Sequence, residues 1–159
     1  MVHSIPWYIV LTVSIPETFL CLSLGFSLFN VPVNNKDKLI LSILAGISSY
    51  IIRKIPLLFG VHTFIFLIFL VILTRLLCKI GLIQSVICIL AGMMIVGILQ
   101  SITSPLIIDL SGINVNEVSD KPWINLILFL PSGLIMTLLY YLIKKFNLIL
   151  YDLKIYYEG

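Results

Sequence analysis

The sequence predicts an all-α fold, a polytopic transmembrane helical bundle of about five spans. Two observations carry that reading. Of the 159 residues, 60% are hydrophobic and only 11% charged, where a soluble domain carries roughly 25% charged residues. The apolar residues also fall into long runs separated by short polar breaks. A hydrocarbon core of about 30 Å takes roughly 20 apolar residues as a helix, and most of the runs have that length.

The first run extends from about Ile5 to Phe29, with Glu17 as its one ionisable residue, directly after Pro16. Proline lacks a backbone donor and crowds the preceding turn, so a kink is expected at Pro16. The N-terminus lacks the basic region of a cleavable signal peptide, so this run is expected to stay as a helix. The break "NVPVNNKDK", Asn30 to Lys38, reads as a loop. The second run, Leu39 to Ile52, is about 14 residues and short for a full span. Its Ala45, Gly46, Ser48 and Ser49 are small enough to let helices approach closely. Arg53, Lys54 and Pro56 end it, and a third run goes from about Leu57 to Leu77. "CKIGL", Cys78 to Leu82, makes a tight turn into the fourth run, Ile83 to Ile102.

The most polar segment follows, Ser104 to Trp123, whose first part is expected to lie at the membrane interface and whose end is a loop closed by an aromatic anchor. The fifth run, Ile124 to Ile143, contains Pro131 and Gly133 and stops at Lys144 and Lys145. Residues 1–145 thus form the bundle. Residues 146–159 read as a cytoplasmic or interfacial amphipathic tail, or as the start of a helix leaving the membrane. Basic residues in short loops set orientation. With the N-terminus outside, seven lie inside (Lys36, Lys38, Arg75, Lys79, Lys144, Lys145, Lys154) and three outside (Arg53, Lys54, Lys121). That predicts N-out and C-in, in the cell membrane.

An ionisable side chain deep in a bilayer costs a few kcal/mol or more, so it pairs or faces the bundle interior. This singles out Glu17, Arg53, His62 and Gln100 as a candidate intramembrane polar cluster or ligand site. Glu17 is placed near mid-depth, as a charge partner or ligand contact. Alternatively its carboxylate accepts from backbone N–H groups at a helix start after Pro16, or it lies close to the interface. Arg53 either snorkels to the headgroups or, because the run before it is short, turns inward to pair with Glu17. His62 reads as a hydrogen-bonded packing residue whose ordinary pKa would also let it sense pH. Gln100 and Thr103 are expected to bond between helices.

Catalytic templates fail: there is no HExxH, no Walker loop, no GxGxxG and no plausible Ser/His/Asp set. Two histidines, His3 and His62, offer no zinc site. Three cysteines in apolar runs, Cys21, Cys78 and Cys88, read as small buried hydrophobes. The expectation is a protein that is not an enzyme and takes no metal or cofactor. Its partners are the lipid bilayer and a membrane or cytoplasmic protein, with a homo-oligomer as a further option and no nucleic acid.

The order "IPETF", "YIIRKIPLLFGVHT", a long Ile/Leu helix and "INLILFLPSGLI" resembles small bacterial polytopic membrane proteins. It is similar to the membrane sensor portions of quorum-sensing receptor histidine kinases of the accessory gene regulator kind. In those, a multi-span bundle precedes a cytoplasmic dimerisation helix and a kinase domain. No phospho-accepting or ATP-binding segment is present in these 159 residues, so the resemblance implies sensing without kinase activity. Three functions follow as expectations. The first is a non-catalytic, sensor-like or regulatory bundle acting through partner proteins. The alternative is a small transporter subunit with a polar cavity near the midplane. The third is a structural subunit with Gly46, Gly92 and Gly97 at interfaces.

Overall fold

The computed structural model describes residues 6–54, 61–112 and 121–153. Five helices make up the described residues: α1 (Trp7–Leu28), α2 (Asn35–Lys54), α3 (Val61–Cys78), α4 (Leu82–Ser111) and α5 (Ile124–Phe146). Among the described residues, four of them are long and apolar enough to cross a membrane: α1, α3, α4 and α5.

The second helix differs from its sequence reading. It is 20 residues long, not about 14, which gives it roughly 30 Å at 1.5 Å per residue. The extra length is the polar turn Asn35–Lys38, which the sequence reading assigned to the loop, together with Arg53 and Lys54 at the other end. That charged turn keeps α2 below the hydropathy of the other four. Its outer face is nonetheless apolar and exposed, with Leu39, Ile40, Ile43, Ile47 and Ile51 at helical spacing, while Leu41, Ser42, Ala45 and Gly46 turn inward.

Helix α1 is the centre of the bundle. Residues Cys21 to Phe26 are buried on every side, the pattern of a helix surrounded by others. It packs against α2, α4 and α5, while α2–α3, α3–α4 and α4–α5 pack in sequence around it. The outside is greasy: Phe64 is 71% exposed and Leu134 70%. Apolar residues on this scale facing outward suit a membrane or protein-partner surface rather than water.

Without a hydrophobic drive between helices in lipid, close packing has to hold them together. The closest contact joins α1 to α4. A Cβ at Gly25 would lie 2.1 Å from the Cys88 carbonyl oxygen, and one at Gly92 would lie 2.4 Å from the Cys21 carbonyl oxygen. Gly25 faces Cys88 while Cys21 faces Gly92, so the two helices run antiparallel. Gly46 brings α2 almost as near α1, its Cβ position lying 2.7 Å from the Ile15 side chain.

Two further local readings need correction. The irregularity expected at Pro16 takes the form of a π turn, Val10–Ser14, one turn upstream. Pro16 has no N–H for the Thr12 carbonyl, so widening the preceding turn accommodates its ring. The fourth helix does not end at Ile102. It runs through Pro105 to Ser111, where Gly112 caps it in the left-handed region at φ 64°. The first part of the expected interfacial segment is therefore helix, with Asp109 exposed on it. Residues 113–120 lie outside the described residues. The turn at 78–82 is as tight as expected, with Lys79 at φ 52°.

Residues 147–153 are not helical. They fold back over the end of α1 where Leu28 lies. The Leu150 and Leu153 N–H groups donate to the Leu28 and Phe29 carbonyls at 2.8 and 3.1 Å. Asn30 Nδ2 donates to Asp152 at 2.9 Å. Gln84 joins this end twice: its carbonyl oxygen accepts from the Gly81 N–H at 2.9 Å, and its Nε2 donates to the Leu153 carbonyl at 2.8 Å. Leu153 is 5% exposed and belongs to the larger core cluster. Replacing it with alanine is expected to lower stability by about 2–3 kcal/mol, the low end for a buried leucine. Thermal unfolding in detergent checks this; an unchanged midpoint would show that the segment adds nothing to the fold.

Candidate polar cavity

Past their tight contact, α1 and α4 line an opening together. From the Cys21–Gly92 contact, α1 needs four residues to reach Glu17, whereas α4 takes eight to reach Gln100. The long Gln100 side chain spans the gap, its Nε2 donating to Glu17 Oε1 at 2.6 Å. Between these contacts lies Gly97, whose Cβ position has nothing within 4 Å. The space so opened is a cavity of about 410 Å³, inside the range of roughly 300–1,000 Å³ usual for small-molecule sites.

One stripe of α1 supplies much of the polar wall: Ser14, Glu17, Thr18 and Cys21, spaced i, i+3, i+4, i+7 on one face. Thr18 donates its hydroxyl back to the Ser14 carbonyl at 2.8 Å, just where the π turn ends. Ser49 of α2 and His62 and Thr63 of α3 extend the polar lining. Phe66, Leu70, Met93 and Val96 give the apolar part. Glu17 is the eleventh residue of the 22-residue α1, so its carboxylate is at mid-length. A charge there is costly to desolvate, and the charge-assisted bond from Gln100 offsets part of that cost.

Glu17, His62 and Gln100, three of the four residues expected to cluster, line this one cavity. Arg53 sits in the last turn of α2, and its side chain and the expected pair with Glu17 lie outside the described residues. Glu17 stands in the first turn after Pro16, and Gln100 is a partner of its carboxylate. Gln100 bonds between helices as expected, but Thr103 does not; its hydroxyl donates to Leu99 within α4 at 2.8 Å. Sequence reasoning missed Ser14, Thr18, Ser49 and Thr63 as lining. The α1 spacing was the signal that could have found the first two. Gly97, read as an interface glycine, is instead the open wall. Among the described residues no group of His, Cys, Asp and Glu is placed to hold a metal ion.

The opposite end of the bundle is basic. Lys36, Lys38, Arg75, Lys79, Lys144 and Lys145 all lie where α1 ends, α2 begins and α5 ends. Most are exposed, but Lys38 is 5% exposed. Its Nζ lies 6.0 Å from the centre of the Tyr140 ring, and Lys144 Nζ lies 5.8 Å from the same ring.

No family model, curated protein or solved structure matches the chain.

Proposed function

We propose that the chain is a non-catalytic integral membrane protein that captures a small ligand between its helices and works through a partner protein, as a substrate-binding subunit of a membrane transporter does. The cavity carries this reading. It has the volume of a small-molecule site, one carboxylate held at mid-depth, several hydroxyls, and an apolar wall opposite. That combination suits a small molecule with hydrogen-bond donors at one end and an apolar body. Transporter sites near the midplane of helix bundles have this character.

Orientation adds to it. Six basic residues gather at the end of the bundle away from the cavity, which favours that end as the cytoplasmic one. The cavity, on the side of the bundle where α1 starts, is then toward the outside, the side from which ligand would enter. The sensor reading, with relay through a projecting C-terminal helix, is less well supported, because residues 147–153 fold back on the bundle.

The test is a thermal-unfolding screen in detergent with free amino acids and short alkylammonium ions as probes. At least one probe is expected to raise the midpoint, and Gly97→Leu, which fills the open wall, is expected to abolish that shift. If no probe stabilises the protein, or if Gly97→Leu responds like the parent, ligand capture is wrong.

A further inference from the structure

The basic end contains two like charges on one aromatic ring. Lys38 comes from the first turn of α2, ahead of its lipid-facing stretch, and Lys144 from the last turn of α5. Each lies about the limiting distance for a cation–π contact with Tyr140. Among the described residues neither ammonium group has a carboxylate within ion-pair range. Lys145, the next residue, points elsewhere, to Tyr141 and Phe146. Burying Lys38 this way is unfavourable for its charge. Burial, and then the neighbouring Lys144, hold its pKa below the ordinary lysine value. Lys144 also borders a second cavity, of about 180 Å³, lined by the polar Ser27, Asn30 and Asn147. Exposed apolar side chains adjoin it, with Leu148 at 53% and Ile149 at 45%.

The geometry points to a phosphate-headgroup site of an anionic membrane lipid at this end, its phosphate held between Lys38 and Lys144 over Tyr140. An anion there neutralises two ammonium groups that otherwise repel each other. The acyl chains lie on the exposed apolar faces, and the small polar cavity receives the headgroup. Lysines at this level of a membrane attract anionic lipids in general. What sets this site apart is that two of them, from different helices, converge, one of them buried.

The experiment is native mass spectrometry of the protein released from phosphatidylglycerol-containing or purely phosphatidylcholine nanodiscs, with inorganic phosphate added in a separate arm. One phosphatidylglycerol is expected to remain bound, with no equivalent phosphatidylcholine. Lys144→Gln should reduce that occupancy about tenfold, Lys144→Arg should restore it, and Lys145→Gln should leave it nearly unchanged. Lys38→Gln should act like Lys144→Gln; should that variant fail to fold, the exposed Lys144 decides. Phosphate binding that needs Lys144, without retained lipid, would support the anion site and move its source to free phosphate. Equal losses from Lys144→Gln and Lys145→Gln would reduce the effect to general surface charge and overturn the proposal, as would no retention of either probe.

Discussion

Gly25→Ala is expected to cost the fold about 3 kcal/mol or more, beyond the middle of the range for overpacked cores. The added methyl would meet the Cys88 carbonyl oxygen at 2.1 Å and its carbon at 2.9 Å. Both are backbone atoms within a helix, so no rotamer change relieves the contact and the two helices have to separate. Gly92→Ala meets the Cys21 backbone in the same manner and should behave alike. Gly97→Ala is the control on the same helix. Its methyl enters open space, and alanine is favoured over glycine in a helix by about 1 kcal/mol, so it should be neutral or stabilising. Unfolding midpoints of the three variants in one detergent check this. A Gly25→Ala protein as stable as Gly97→Ala would mean that α1 and α4 do not cross at these glycines.

The second large effect concerns Glu17. Gln100→Leu removes the donor at 2.6 Å and leaves the carboxylate short of one partner at the middle of α1. Loss of a hydrogen bond to a charged group costs about 1.5–3 kcal/mol, and the upper half of that range is expected here. Glu17→Gln keeps the shape and removes the charge, which makes Gln100→Leu milder in its presence. A double-mutant cycle should give a coupling of about 1–2 kcal/mol. Additive single effects would show that the two side chains do not cooperate.

Much of the architecture was legible because lipid imposes a length on every span. The runs for α1, α3, α4 and α5 could be marked from their apolar residues alone. The errors fell where that rule is silent. The turn Asn35–Lys38 is polar yet helical, since polar residues and an acidic one such as Asp37 are compatible with the first turn of a helix. Pro105 is tolerated inside α4 because its missing hydrogen bond lies close to the helix end. The fold-back at 147–153 depends on Gln84, 69 residues earlier, and no local pattern announces such a contact. In the site, the rarity of ionisable residues pointed to Glu17 and His62. The hydroxyl lining was hidden, because serine and threonine serve equally as packing residues in membrane helices. Gly97 and Gly92 look alike in sequence, but five residues along α4 turn Gly97 about 140° from the face that Gly92 sets against α1.

The backbone contact at Gly25 and Gly92 has a mechanical consequence. It lies between the cavity and the basic end, and neither helix can slide or compress there without carbonyl clashes. It is therefore a fulcrum. Any widening of the cavity tilts α4 against α1 about that point and shifts the beginning of α4 in the opposite sense. Gln84 lies at that beginning, holding the Leu153 carbonyl, so α1, α4 and the C-terminal segment form a lever with the polar cavity on its long arm.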